Sequence, residues 1–237
     1  MTAKPLLRSA LLLLLLAFPV LDATADGTTR PYRGEARDER GELVYTEHHQ
    51  VRSTESGLAE SVTEYRAPDG TLIATLRSDY SRSLTTPTYI FEDLRRNHRE
   101  GLRWEGGTYV VFHQTGSAPE KTAPLRRDRE VFSCQGWHYH LVDNLDLLEK
   151  ENLTLNLVLP SELRPYPFVV KTTAADARRV SAELRLKNWL IRHFAPTLRL
   201  EYDRENRRLH EFHGVSNIPS SSGDRQTVTI RYTYPEE

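Results

Sequence analysis

Glu47 and His49, in the segment LVYTEHHQV at positions 43–51, are the strongest candidates in this sequence for an acid–base pair. If the segment is a β-strand, alternate side chains share a face, so the carboxyl and the imidazole lie together with Tyr45. A carboxylate so placed can pair with an imidazole and orient it as a general base. Because the spacing supplies no third partner, we expect no catalytic residue and interpret the pair as a ligand-lining or structural polar pair.

The chain has nine histidines, and the spacing of the others is weaker evidence for a site. His138 and His140 are two residues apart, and His210 and His213 are three apart, without an HExxH motif. A zinc site needs three or four ligands, and neither pair comes with a third. The sequence also lacks a GxSxG nucleophile motif and a glycine-rich phosphate loop. We therefore expect neither a metal site nor a cofactor.

The elements that must position these side chains are predominantly strands. From residue 30 onward, segments in which apolar and polar residues alternate follow one another, separated by short turn sequences. The clearest turn is Ala67-Pro68-Asp69-Gly70, because proline presets the first turn angle and glycine accepts a positive φ. We predict a short helix within 138–152, a helical turn at 188–193, and a polar, proline-bearing loop over 116–128.

This pattern predicts an all-β fold: a curved antiparallel meander sheet, half-barrel-like, with one or two short helices. No alternation of strands with long helices calls for parallel crossovers. A curved sheet buries one face by wrapping around a helix or its own interior. A β-sandwich is the main alternative, and it differs in leaving no cavity for a ligand.

The N-terminal sequence is typical of an export signal. Lys4 and Arg8 precede an apolar stretch from Ala10 to Leu21, which is followed by Ala23-Thr24-Ala25. The apolar stretch is shorter than the roughly 20 residues of a membrane-spanning helix. We expect a cleaved signal peptide over 1–25, a single β-rich domain over 26–237 without a transmembrane segment, and a periplasmic location.

Composition argues against two further classes of protein. The formal net charge is -1 with acids and bases interspersed, so nothing indicates nucleic-acid binding. Cys134 is the only cysteine, and it cannot form an internal disulfide. Its neighbours in EVFSCQGW are bulky and apolar, which favours a buried thiol over a redox role.

Several segments together resemble a family of uncharacterised periplasmic proteins of Gram-negative bacteria: YRGEA, GELVYTEHH, APDGTLIA, IFEDLRRNHREG and YDRENRRLHEFHGVSN. That resemblance brings no assigned activity. In architecture alone, the strand succession with a short helix also resembles the outer-membrane lipoprotein carrier and receptor proteins. That second resemblance implies an open half-barrel with an apolar cavity for acyl chains.

Three hypotheses of function follow. The first is a non-catalytic periplasmic protein that binds a lipid or another amphiphile through Tyr45, Glu47, His49, Tyr65 and Trp104. The second is a cell-envelope interaction module that binds a protein partner through a sheet edge or the 116–128 loop. The third is a hydrolase or lyase, which requires at least two histidines to converge on Glu47, drawn from His49, His113, His138, His140, His210 and His213.

Overall fold

A computed structural model describes residues 27–188 and 197–235. The predicted signal peptide and its cleavage site lie outside these residues, as does the helical turn predicted at 188–193 except for Asn188. The described strands are β1 Gly27–Arg37, β2 Leu43–Thr54, β3 Gly57–Arg66, β4 Leu72–Asp79, β5 Thr88–Asp93, β6 His98–Glu105, β7 Thr108–Thr115, β8 Lys121–Pro124, β9 Leu153–Leu159, β10 Arg164–Ala175, β11 Arg179–Leu186, β12 Leu198–Asp203, β13 Leu209–Val215 and β14 Thr227–Thr233. The helices are α1 Gly136–Asp143 and α2 Leu145–Leu148, with a 3-10 turn at Pro160–Glu162.

All fourteen strands form one antiparallel sheet in the order β8-β7-β6-β5-β4-β3-β2-β1-β14-β13-β12-β11-β10-β9. Each half of the sheet is a meander, and the halves join where β1 pairs with β14, with Ala36 opposite Ile230. The predicted β-dominated meander with short helices is therefore confirmed. The predicted loop over 116–128 is wrong in one part, because Lys121–Pro124 pairs with β7 as an edge strand.

The sheet curves so that one face is buried. Register shifts interrupt five of the strand pairings, and such bulges increase the local bend and twist of a sheet. At the far ends, Val158 of β9 packs in one cluster with Leu102 and Tyr109 of β6 and β7. The edge strands β8 and β9 do not pair with each other. The sheet therefore wraps around its interior without closing into a barrel.

The two helices fill one side of the concave face. Leu141, Leu145 and Leu148 belong to a buried cluster with the inward side chains of β9 to β12, including Leu184 and Leu200. Within the described part of the chain, no helix is long and apolar enough to cross a membrane. The helices thus fill the interior beside β9 to β12. The interior beside β1 to β5 has to be filled by other side chains.

The segment before α1 is attached to the other half of the sheet by buried hydrogen bonds. Thr86 Oγ1 donates to the carbonyl of Val131 at 2.6 Å, and Ser133 Oγ donates to the carbonyl of Pro87 at 2.7 Å. Gly136 begins α1 so close to this segment that a Cβ atom there would lie 2.2 Å from the carbonyl oxygen of Thr85. These contacts fix where the first turn of α1 enters the interior.

We predict that Gly136→Ala destabilises the protein by about 1–3 kcal/mol, because the added methyl group must displace backbone. The sign of this change in the free energy of unfolding is informative, because replacing glycine by alanine within a helix ordinarily stabilises the helix by about 0.5–1 kcal/mol. Urea unfolding monitored by circular dichroism measures the change. Asp143→Ala, at an exposed position of the same helix, is the control. A G136A protein as stable as the parent would contradict the packing described.

Candidate functional site

The concave face retains a cavity of about 300 Å³ between the start of α1 and the strands of the β1 to β5 half and of β13 and β14. Most of its wall is aromatic or aliphatic, and the polar groups are few. The lining residues are Tyr32, Tyr45, Glu47, His49, Tyr65, Leu76, Tyr89, Phe91, Cys134, Gln135, Trp137, His138, Leu209, Phe212, Val215, Ser216, Asn217, Ile230, Tyr232 and Tyr234.

Glu47 and His49 form a hydrogen-bonded pair in the wall of this cavity. Both are only 4% exposed, and His49 Nε2 lies 2.9 Å from Glu47 Oε2. On the other side of the ring, His49 Nδ1 lies 2.9 Å from Thr63 Oγ1. The hydroxyl of Tyr232 donates to Glu47 Oε2 at 3.3 Å. Both imidazole nitrogens are therefore engaged, and the buried polar groups satisfy one another, as burial in an apolar wall requires.

Aromatic rings hold the imidazole of His49 in place. The ring of Tyr32 stacks on it with centroids 4.0 Å apart and planes inclined by 4°. Tyr232 approaches it edge-on at 5.9 Å, and Tyr234 stacks on Tyr32 at 5.0 Å. Residues from β1, β2 and the end of β14 thus form one layer, so the imidazole is held by both stacking and hydrogen bonds.

The tyrosines of the wall are neutral hydrogen-bonding groups. Burial raises the pKa of the Tyr32, Tyr45, Tyr65 and Tyr232 hydroxyls well above the usual range, and the nearby Glu47 carboxylate adds to the effect. Besides Tyr232, which donates to Glu47, two of them are paired with polar residues: Tyr45 with Ser216 at 2.8 Å, and Tyr65 as the acceptor from Asn217 Nδ2 at 3.2 Å. The wall therefore offers oriented dipoles to a ligand.

Two further titratable groups on the cavity are also uncharged near neutral pH. Burial raises the pKa of the Cys134 thiol to about 11, so the thiol stays protonated and is a weak nucleophile. Burial, with a smaller contribution from His49, lowers the pKa of His138 to about 4. His138 Nδ1 lies 3.1 Å from the hydroxyl of Tyr202, on which its ring also stacks. Both groups extend the apolar character of the wall.

Of the five residues predicted to bind a ligand, the structure brings Tyr45, Glu47, His49 and Tyr65 together around the cavity. Trp104 lies elsewhere, near the tip of the β6–β7 hairpin, where it is 41% exposed. Its ring packs against Tyr109 at 4.9 Å and lies 4.4 Å from the guanidinium carbon of Arg82. Trp104 is therefore not among the cavity residues.

The histidines named in the hydrolase hypothesis are dispersed. Within the described residues, His49 and His138 line the cavity, and the imidazole of His49 alone is hydrogen-bonded to Glu47. His113 of β7 instead contacts Glu100 of β6, and His140 packs on Phe132. His213 Nδ1 lies 3.0 Å from Thr229 Oγ1 on neighbouring strands.

Several cavity residues were not identified from the sequence. Tyr232 lies two residues beyond Ile230 on β14, so strand alternation was a usable signal for it. Gln135, Ser216 and Asn217 lie in turns and loops, where no periodicity predicts side-chain direction. Their place in the wall depends on contacts between segments far apart in the chain.

A surface depression of about 550 Å³ adjoins the cavity and shares Tyr32, His138 and Tyr234 with it. We call it the mouth. Its other lining residues are Thr29, Arg30, Pro31, Val51, Tyr139, Val142, Arg207, Arg208 and Pro235. None of these described residues is acidic, and three are arginines. The mouth therefore presents three guanidinium groups, one of them paired with Asp146, beside an apolar interior.

Comparison with solved structures finds a similarity to the crystal structure of a beta-barrel-like protein of a domain of unknown function, DUF1849, from Brucella abortus. The two chains are 13% identical, and the alignment covers 87% of this chain and 98% of that one with a TM-score of 0.43. The name of that protein assigns it no activity. No protein-family model and no curated protein matches this chain.

We predict that Glu47→Ala lowers the free energy of unfolding by about 3 kcal/mol, because it leaves His49 and Tyr232 buried without their shared acceptor. Glu47→Gln retains an acceptor oxygen and is expected to cost about 1 kcal/mol. Denaturant unfolding of both variants measures the difference. Gln50→Ala, at an exposed position of the same strand, is the control. If E47A and Q50A are equally stable, the hydrogen bonds between Glu47 and His49 do not stabilise the cavity wall.

Proposed function

We propose that this protein is exported to the periplasm and binds an amphiphile without catalysis, with the apolar part of the ligand in the cavity. The observation that carries the proposal is a cavity in the concave face whose wall is mostly aromatic and aliphatic, with few fixed polar groups. Sites for small organic ligands have this composition, with a few polar groups that set orientation. The signal-like sequence of residues 1–25 supports the location.

The volume and wall chemistry limit the size of the ligand. A cavity of about 300 Å³ lies at the low end of the range for small-molecule sites, so it suits one short apolar chain rather than a whole multi-chain lipid. Leu76, Phe91 and Ile230 supply apolar surface for such a chain. The Glu47–His49 pair, whose polar groups are already engaged, contributes a fixed dipolar patch and leaves most of the contact area apolar.

The arginines of the mouth favour an anionic head group, because guanidinium groups donate paired hydrogen bonds to carboxylates and phosphates. Arg30, Arg207 and Arg208 line the depression next to the cavity. The guanidinium of Arg207 is held in position by the carbonyl of Val142 at 2.9 Å and by Asp146 at 2.8 Å. A carboxylate or phosphate at the mouth would meet arginine side chains, which suit these anions. We therefore assign the head group to the mouth and the chain to the cavity.

The edges of the sheet give less support to a strand-adding interaction module. The edge strand β8 has only four residues and includes Lys121 and Pro124, features that oppose pairing with another chain. The other edge, β9, already bonds to Phe132: the amide of Phe132 donates to Asn156, and the amide of Val158 donates to Phe132. Neither edge of the described sheet therefore offers a long row of unpaired backbone N–H and C=O groups.

Catalysis by Glu47 is also less well supported. The imidazole of His49 is stacked on Tyr32 and hydrogen-bonded to Glu47 and Thr63, but the Thr63 hydroxyl is fully buried and does not line the cavity, so the hydroxyl that His49 could activate is out of reach of a ligand there. The Cys134 thiol is protonated near neutral pH because burial raises its pKa to about 11. These groups suit a wall better than a reaction centre.

We predict that Leu76→Phe weakens binding of dodecanoate by roughly tenfold, a loss of about 1.4 kcal/mol, because the larger side chain occupies cavity space. Displacement of the fluorophore anilinonaphthalene sulfonate measures the dissociation constant. For the parent protein, dodecanoate should bind about fivefold more tightly than dodecyltrimethylammonium, since a carboxylate can accept hydrogen bonds from the arginines of the mouth and a quaternary ammonium group cannot.

Leu76→Met is the matched control, because it keeps the side-chain volume and should bind dodecanoate like the parent. Thermal unfolding of both variants separates a filled cavity from a misfolded protein. The proposal fails if the parent does not bind dodecanoate, or if L76F binds it as tightly as L76M.

A further inference from the structure

A second cluster of polar side chains lies on the β6–β7 hairpin, outside the residues that line the cavity. His98 and Glu100 are two residues apart on β6, and in the strand register they face Thr115 and His113 of β7. Alternation places these four side chains on one face of the hairpin, the same face as the buried Leu102. The cluster adjoins Phe91, which lines the cavity, with ring centroids of Phe91 and His98 6.1 Å apart.

Three of these side chains direct potential ligand atoms at one point. Glu100 Oε2 lies 3.3 Å from His98 Nε2 and 3.4 Å from His113 Nδ1. One ligand atom from each of the three residues can be chosen so that all three lie within 4.8 Å of one another. A tetrahedral ion with bonds of about 2.1 Å holds its ligand atoms roughly 3.4 Å apart. Two of the three separations already match this spacing, so an ion requires only small side-chain shifts.

The other nitrogen of each imidazole is directed at a single hydroxyl group. Thr115 Oγ1 lies 3.0 Å from His98 Nδ1 and 3.4 Å from His113 Nε2. A hydroxyl oxygen has two lone pairs and can accept an N–H from both rings. In that arrangement both rings are neutral, and both turn an unprotonated nitrogen toward Glu100. Support of this kind, in which a ligand histidine donates its second N–H to a fixed acceptor, is what metal sites use.

The same contacts are harder to satisfy with neutral rings and no ion. If both rings donated to Glu100, His98 Nδ1 and His113 Nε2 would both need a donor, and the Thr115 hydroxyl carries one hydrogen. One nitrogen would then lack a partner within the cluster. An ion between the three ligand atoms removes this conflict, because the rings then donate to Thr115 and coordinate with their free lone pairs.

We propose that His98 Nε2, Glu100 Oε2 and His113 Nδ1 bind one divalent transition-metal ion, and that Zn²⁺ fits the site best. Two imidazoles and one carboxylate form a ligand set that Zn²⁺ accepts in tetrahedral geometry with its fourth position open. The three side chains are 19–24% exposed, so solvent or a ligand anion can reach that position. The site is independent of amphiphile binding in the cavity.

Isothermal titration of untagged protein with ZnCl₂ tests the site. We expect the parent protein to bind one equivalent of Zn²⁺ and not to bind Ca²⁺, which prefers an all-oxygen site. Glu100→Gln should abolish the stoichiometric uptake, and Thr115→Val should weaken it by about ten- to a hundredfold through loss of the shared acceptor. Co²⁺ in place of Zn²⁺ should show visible d–d absorption without a thiolate band.

His213→Ala is the matched control, because His213 is also a half-buried strand histidine bonded to a threonine. It should bind Zn²⁺ like the parent. Circular dichroism verifies that each variant is folded, and His113→Gln replaces E100Q if that variant is not. The proposal is overturned if the parent takes up no stoichiometric Zn²⁺, or if E100Q or H113Q binds it as tightly as the parent.

Discussion

One face of the sheet has to be buried, and this requirement determines how the helices and the inward side chains pack. Fourteen antiparallel strands in a single sheet present far more inward surface than α1 and α2 can cover. The helices pack against β9 to β12, and the remaining inward side chains must cover one another across the curve. The aromatic rings among them line a cavity where side chains of β1, β2 and β14 meet the start of α1.

Polar groups on that inward face are tolerated because each is paired. The Glu47 carboxylate accepts from Tyr232 and pairs with His49, whose other nitrogen reaches Thr63. Removing one member would leave the others buried without a hydrogen-bond partner. The desolvation cost of such groups is larger than the net stabilisation from the hydrogen bonds themselves. The cluster of His98, Glu100 and His113 differs, since it is partly exposed and each residue offers a ligand atom within 4.8 Å of the others. The interior thus has one closed polar network and one open one.

The sequence predicted most of the strands, because period-two alternation and turns such as Pro68-Asp69-Gly70 are local signals. It did not predict β8, whose sequence KTAP shows no alternation and becomes a strand only by pairing with β7. The pairing of β1 with β14 joins the two ends of the described chain, and no local pattern specifies such a contact.

The candidate site was predictable to the extent that one strand determined it. Tyr45, Glu47 and His49 lie on one face of β2, so their grouping followed from alternation. Tyr32 and Tyr232 reach the same point from β1 and β14, through pairings that sequence alone does not specify. Trp104 lies apart because its position at a hairpin tip places it away from the centre of the curve. His98 and His113 were not linked beforehand, because the hairpin register sets them together.

If the proposed function is correct, the cavity holds an amphiphile in the protein as it exists in the cell. Native mass spectrometry of protein isolated from the periplasm without detergent, followed by solvent extraction, tests it most directly. We predict a species with the mass of residues 26–237 plus a discrete adduct that extracts as a single-chain anionic amphiphile. A bare polypeptide mass in every preparation, with nothing in the extract, would contradict the account.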